Sequence, residues 1–165
     1  MKEPVSADTA IARQQRELVK SILEGPVVET PVDPNAGMKV DKTIILRVVK
    51  DVMKYDQTLL TAKAGTVLRI DFRNPDFMQH NLLVLKPGTM NKVGDAADKL
   101  AQDPNGSKMQ YVPKMPEVLA FTPLVNPQSS YVLTFRIPDQ PGDYPFVCTF
   151  PGHWRIMNGI LRVTK

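Results

Sequence analysis

Four residues in this sequence could bind one soft metal ion together. The only cysteine, Cys148, is followed five residues later by His153 and four residues after that by Met157. The other of the two histidines, His80, lies far upstream in the segment Phe77-Met-Gln-His-Asn. A thiolate, two imidazoles and a weak axial thioether form the ligand set of a trigonal copper site that transfers electrons. Because cysteine and histidine are so scarce here, this pattern predicts a copper centre.

Two other chemistries compete with this interpretation. Zinc also binds cysteine and histidine, but its structural sites use four strong ligands, and the sequence offers three. A cysteine hydrolase would use Cys148 as a nucleophile and a histidine as its base. The sequence shows no obvious carboxylate near either histidine that would orient such a base. A multicopper oxidase needs more histidines than the two present. Copper storage or delivery stays open as an alternative to electron transfer.

Composition narrows the class of protein. The 165 residues suit a single main domain with a sizeable core, and the net charge of +4 is spread over short mixed runs. No basic tract with interleaved aromatics predicts nucleic-acid binding, and no segment is apolar enough to span a membrane. The N-terminus does not resemble a signal peptide.

Short alternating segments predict a β-rich domain that must position these ligands. In 44–49, 68–73 and 131–137 the apolar residues alternate, as in strands buried on one face, whereas 81–86 is a continuous apolar run typical of a buried strand. Gly and Pro residues separate the segments. The predicted strands cover 44–49, 68–73, 81–86, 131–137, 144–148 and 159–163. The pattern is typical of a sandwich or barrel.

Two further segments have a different character. Residues 1–38 are predicted to form an N-terminal helix, from Asp8 to about Leu23, and a proline-rich connector to the main domain, 39–165. An insertion at about 87–128 is too long for a structureless loop, and Asp95–Gln102 within it reads as a short helix. The pattern Pro151-Gly152 predicts a tight turn between the downstream ligands.

The segments Cys148-Thr-Phe-Pro-Gly-His153 and Met78-Gln-His-Asn81 resemble the azurin and auracyanin group of cupredoxins, and the resemblance extends from about residue 40 to 165. It implies an all-β fold, a Greek-key β-sandwich or barrel, to which this chain adds the helix-bearing insertion and the N-terminal helix. It also implies one type 1 (blue) copper ion per chain. The implied ligands are His80, Cys148 and His153, a weak axial Met157, and the backbone carbonyl of Gln79.

The same resemblance assigns supporting roles. Asn81 is expected to tie the two ligand segments together, and the backbone N–H groups of Asn81 and Phe150 are expected to point at the cysteine sulfur. An exposed apolar patch for redox partners is expected to surround the edge of His153. The residues assigned to this patch are Phe77, Met78, Pro151, Trp154 and Ile156.

The expected function is one-electron transfer between redox proteins such as cytochromes or a dehydrogenase, without substrate chemistry of its own. The resemblance places the protein in the periplasm or another extracytoplasmic compartment. The chain could also be the electron-transfer domain of a larger redox enzyme.

Overall fold

The strands of the domain follow the alternation of its sequence. The computed structural model describes residues 33–165, and within them it contains eight strands and one helix. The strands are β1 (Lys42–Arg47), β2 (Leu59–Lys63), β3 (Val67–Asn74), β4 (Leu83–Leu85), β5 (Val118–Phe121), β6 (Ser129–Arg136), β7 (Gly142–Val147) and β8 (Asn158–Thr164). The helix, α1, spans Met90–Gln102. The predicted N-terminal helix and most of the connector lie outside the described residues.

The strands form two mixed sheets. One has three strands in the order β1-β3-β6, and the other has five in the order β2-β8-β7-β4-β5. The pairs β1–β3 and β2–β8 are parallel, whereas the remaining pairs are antiparallel. The predicted β-rich fold is confirmed, while Greek-key connectivity stays a prediction. No helix among residues 33–165 is long and apolar enough to cross a membrane.

The main hydrophobic core lies between the two sheets. Every second side chain of the strands points into it, which is the arrangement that the apolar alternation predicts. It includes Leu46 and Phe72 from the three-stranded sheet and Leu60, Phe146 and Leu161 from the five-stranded sheet. Cys148 and Met157 belong to the same cluster, so the candidate ligands extend the core at one end of the domain.

A second, smaller core lies under α1, on the other face of the five-stranded sheet. It joins Leu83 and Val147 of that sheet to Val93 of the helix and to Trp154. The helix begins at Met90, five residues before the predicted start at Asp95. The helix therefore continues through Gly94, although glycine is a poor helix former.

Gly94 has a packing role that explains its presence in α1. A Cβ atom at this position would lie 2.4 Å from the Trp154 ring, so only glycine lets the ring pack against the helix. The insertion also contributes β5, a strand that sequence reasoning missed among its prolines. This strand pairs with β4, which directly follows the His80 segment.

Candidate metal centre

Strand register brings the histidines and the cysteine to one end of the domain. Cys148 directly follows β7, and the loop that it begins returns at β8, where Val147 pairs with Asn158. On its other side β7 pairs with β4, with Val147 opposite Leu83. His80 lies three residues before Leu83, so the antiparallel pairing places it beside the cysteine.

The three donor atoms form a small triangle. The Cys148 Sγ lies 3.6 Å from the Nδ1 of His153 and 3.9 Å from the Nδ1 of His80. All three donors lie within 4.8 Å of one another, and no other such cluster of His, Cys, Asp or Glu occurs in residues 33–165. A metal bound by bonds of about 2.1 Å to nitrogen and about 2.3 Å to sulfur places these atoms about 3.6–3.8 Å apart. The donor set and its spacing therefore fit one copper ion.

The ligand loop is closed by its own backbone. The predicted turn is present, with Gly152 at a φ of 84° and the His153 N–H donating to the carbonyl of Phe150. The His153 carbonyl accepts from Met157 N at 2.8 Å, and the Met157 carbonyl accepts from Cys148 N at 3.0 Å. Met157 is fully buried. These bonds join Cys148, His153 and Met157 within one closed loop.

Asn81 links the two ligand segments, through Thr149. The Asn81 Oδ1 accepts from Thr149 N at 2.7 Å, and its Nδ2 donates to Thr149 Oγ1 at 3.0 Å. The backbone N–H groups of Asn81 and Phe150 also hydrogen-bond the cysteine sulfur. Tyr55 donates its hydroxyl to the Asn81 carbonyl at 2.8 Å, which fixes the same residue from the core side. Asn81 directly follows His80 and Thr149 directly follows Cys148 in the sequence, and Tyr55 bonds Asn81.

The insertion also contributes to this network. The carbonyl of Gln110 accepts from Asn81 Nδ2 at 3.1 Å, and the carbonyl of Tyr111 accepts from Thr149 Oγ1 at 2.7 Å. Both Gln110 and Tyr111 have positive φ angles, 57° and 52°, which non-glycine residues rarely adopt. The insertion therefore supports the metal centre as well as covering the sheet.

A buried carboxylate that sequence reasoning missed lies beside His80. The Asp76 Oδ2 is 2.8 Å from the His80 Nε2, the ring nitrogen opposite the one that faces the cysteine. The expectation that no carboxylate orients either histidine is therefore wrong. Burial acts to raise the pKa of Asp76, but hydrogen bonds from His80 and from the backbone N–H groups of Asp51 and Phe77 hold it below its usual value.

The protonation states of the other donors disfavour cysteine hydrolysis. Burial raises the pKa of the Cys148 thiol to about 12, despite the opposing hydrogen bonds from Asn81 and Phe150. Burial, and secondly the electrostatic effect of the neighbouring His80, lowers the pKa of His153 to about 4, against the opposing effect of the Asp76 carboxylate. A neutral buried thiol is a poor nucleophile, whereas a metal cation favours the thiolate that binds it.

The structure corrects one member of the expected surface patch. Trp154 is only 6% exposed, because its ring packs on α1 and its Nε1 donates to Asp98 Oδ1 at 3.0 Å. Arg155 covers the ring, with its guanidinium carbon 4.2 Å from the ring centroid. The ligand His153 is itself only 2% exposed. Of the other expected members, Phe77 and Ile156 are exposed, at 67% and 52%, while Met78 and Pro151 are half-buried.

Comparison with known proteins identifies the family to which the chain is similar. Residues 42–164 match the model of the copper-binding proteins of the plastocyanin/azurin family. The chain is 36% identical to auracyanin-B of Chloroflexus aurantiacus over 126 residues, which are 74% of this chain and 52% of that protein. It is 33% identical to auracyanin-A of the same organism, over 67% of each chain. The chain therefore spans about half the length of auracyanin-B.

Solved structures of the two auracyanins have a fold similar to that of this chain. The structure of auracyanin B superimposes with a TM-score of 0.68 at 35% identity, covering 78% of this chain and 92% of that one. The structure of auracyanin A, described as a blue copper protein, gives a TM-score of 0.65 at 31% identity, covering 74% and 98%.

Proposed function

Because the chain belongs to the plastocyanin/azurin family of copper-binding proteins, whose members are typically electron carriers, we propose that it carries single electrons between redox partners. Its fold is the predominantly β cupredoxin fold, with mixed sheets and one helix in the described residues. The observation that carries the proposal is the buried triangle of one sulfur and two imidazole nitrogens. Bound copper supplies a one-electron Cu(II)/Cu(I) couple there.

The residues around the site suit electron transfer because they hold the ligands still. His80, Cys148 and His153 are 0%, 0% and 2% exposed, so water is excluded from the donors. The bonds of Asn81 to Thr149 and of Met157 to the loop backbone fix both ligand segments. A donor set that changes little between oxidation states lets an electron pass with little rearrangement.

Two weaker ligands complete the proposed centre. The thioether of Met157 is the proposed axial donor, supported by its complete burial in the core cluster that also contains Cys148. The backbone carbonyl of Gln79 is the proposed contact on the other axial side, supported by its place directly before His80. Such axial donors adjust the reduction potential more than they hold the metal.

Electrons are proposed to enter and leave through an apolar patch formed by Phe77, Met78, Pro151 and Ile156. Exposed apolar groups that cluster on a protein surface typically mark a contact site, and redox encounters bury small areas. The proposed partners are cytochromes or a dehydrogenase, since the patch suits a transient protein contact rather than a small substrate. This role leaves no substrate chemistry to the chain.

A charge placed on the patch should slow electron transfer. We expect Ile156→Lys to lower the rate of electron self-exchange by about tenfold or more, because like charges repel and the lysine must be desolvated on contact. Val132→Lys is the matched control, since Val132 is 42% exposed on β6, an edge strand of the other sheet. Both variants should keep their copper and colour. Stopped-flow rates that are equal in Ile156→Lys, Val132→Lys and the unmodified protein would place the electron route elsewhere.

The proposed function is tested by adding Cu(II) to the metal-free protein. We expect one copper per chain and an intense blue or blue-green colour, because a cysteine thiolate donates charge to Cu(II) in this family. Metal analysis and the visible absorption spectrum measure both. A colourless complex, or a stoichiometry far from one, would contradict the proposal.

Copper storage or delivery is the alternative function, and ligand exchange separates it from electron transfer. A delivery protein should release copper readily to a competing chelator, whereas a carrier with buried ligands should exchange electrons much faster than copper.

The proposed setting is the periplasm or another extracytoplasmic compartment, either as a free carrier or as a domain of a larger redox protein. The proposal keeps the boundary between an N-terminal segment, 1–38, and the copper-binding domain, 39–165. It also keeps the sequence-based predictions of an N-terminal helix and of Greek-key connectivity.

A further inference from the structure

The His80 ring lies between a sulfur and a carboxylate. Its Nδ1 faces the Cys148 sulfur at 3.9 Å, and its Nε2 faces the Asp76 Oδ2 at 2.8 Å. The side chains of His80 and Asp76 are 0% and 2% exposed. Such a short contact between buried polar groups is a hydrogen bond, and a carboxylate can only accept it. The Nε2 of His80 therefore carries the proton of this bond, and Nδ1 is the ring nitrogen that faces the metal position.

Asp76 is held in place by contacts of its own. Its Oδ1 accepts from the backbone N–H of Asp51 at 3.0 Å, and its own N–H donates to Asn74 Oδ1 at 3.1 Å. Asn74 in turn donates from Nδ2 to the carbonyls of Met78 and Val125, at 2.7 and 2.9 Å. The carboxylate is thus built into the segment that carries the ligand, with both of its oxygens occupied.

The two histidines of the centre differ in whether a carboxylate bonds the ring. His153 contacts the rings of His80 and Phe150, with centroids 5.1 and 4.9 Å away. Within residues 33–165 no carboxylate hydrogen-bonds the His153 ring, whereas Asp76 bonds that of His80. Only one of the two imidazoles therefore receives negative charge through its remote nitrogen.

We propose that Asp76 is a positioning residue that fixes the tautomer of His80 and lowers the reduction potential of the copper centre. This inference rests on the proposed function. A carboxylate that accepts from the remote nitrogen makes the imidazole a stronger donor and fixes its orientation. Its negative charge also favours the more positive Cu(II) state over Cu(I), in a buried site where charges interact strongly.

The first test uses the metal-free protein and does not depend on copper. Nitrogen-15 NMR distinguishes the tautomers of a histidine ring, and we expect His80 of the unmodified protein to carry its proton on Nε2. Asp76→Asn should shift His80 to a mixture of tautomers, because the neutral amide can either accept or donate. A neutral His80 that carries its proton on Nδ1 alone in the unmodified protein would overturn the proposal, whatever the variant does.

The second test measures the reduction potential by spectroelectrochemistry. Losing an outer carboxylate typically weakens metal binding by about 10–100-fold. We expect Asp76→Asn to weaken Cu(II) binding at least about tenfold more than Cu(I) binding, which raises the potential by about 59 mV. Zn(II) affinity, measured by calorimetry, should also fall about tenfold or more.

Asp98→Asn is the matched control for the charge. Asp98 bonds Trp154 and Arg155, the residues that follow His153, so its loss also removes a carboxylate near the ligand loop without touching a ligand ring. We expect the potential of this variant to move less than a third as far as that of Asp76→Asn. Equal shifts in the two variants would show that Asp76 contributes only general charge.

The outcomes separate this inference from the proposed function. If the unmodified protein binds no copper but His80 keeps its Nε2 proton and Zn(II) affinity falls in Asp76→Asn, the electron-carrier proposal fails and the positioning role stands. If the centre is blue but its potential is unchanged in Asp76→Asn, the positioning role fails alone. Should Asp76→Asn not fold, the tautomer of the unmodified protein still decides.

Discussion

Cys148→Ser is expected to abolish the visible colour of the copper-loaded protein completely. The colour arises from charge donation by the thiolate to Cu(II), and a serine hydroxyl does not replace it. Affinity for Cu(I) should fall most, because the soft cuprous ion depends on sulfur more than Cu(II) does. Visible absorption and competition with a Cu(I)-specific chelator measure these two losses.

The fold should tolerate this change, which makes the result interpretable. Serine is slightly smaller than cysteine, and the N–H groups of Asn81 and Phe150 that bond the sulfur can bond a hydroxyl instead. We expect the free energy of unfolding of the metal-free protein to change by about 1 kcal/mol. A copper-loaded variant that stays blue would exclude Cys148 as the ligand. A hydrolase would instead be identified by turnover of an ester or amide that is lost in Cys148→Ser.

His80→Ala and Met157→Leu should have opposite outcomes for copper binding. Met157→Leu keeps the buried volume and removes only a weak axial donor, so copper and colour should remain. Its reduction potential should rise, because the oxidised form loses a donor. His80→Ala removes one of three strong donors and should weaken copper binding much more. Copper titrations of the two variants, beside the unmodified protein, measure the difference.

His80→Ala should also destabilise the metal-free protein. It leaves the Asp76 carboxylate, which is 1% exposed, without its imidazole partner. An unsatisfied buried carboxylate lowers the free energy of unfolding by at least about 2 kcal/mol. Denaturant unfolding measures this cost. If Met157→Leu loses copper as completely as His80→Ala does, Met157 is a principal ligand and the trigonal geometry is wrong.

The cluster of His80, Cys148 and His153 could be predicted from sequence because these residue types are rare in the chain and chemically specific. A chain with one cysteine and two histidines leaves few combinations, and the loop from Cys148 to Met157 has a spacing that a turn explains. Six of the eight strands in the described residues were accessible for a similar reason, since burial in a sandwich imposes apolar patterns on the sequence, whereas β2 and β5 were not predicted. Both signals can be recognised in the sequence without knowledge of the tertiary structure.

The features that sequence reasoning missed depend on contacts that no sequence pattern marks, whether the partners are four residues apart, as Asp76 and His80 are, or more than fifty, as Trp154 and Asp98 are. Asp76 lies in a loop without periodicity, and nothing local marks it as the partner of His80. Trp154 was expected at the surface beside His153, because the helix that covers it is more than fifty residues away. The predicted helix began only at Asp95 and so omitted Gly94, the position in the helix that accommodates the ring.

The burial of the donors has a consequence for how the protein acquires its metal. Nδ1 of both histidines and the sulfur face one another inside residues that are at most 2% exposed, so an ion in solvent meets no open coordination position. Backbone hydrogen bonds also close the loop from Cys148 to Met157, which carries two of these donors. We therefore expect loading to require transient opening of this loop, so that at high copper concentration its rate should become that of the opening itself. The same barrier should retain the ion once the loop closes, so we expect slow exchange of the bound copper.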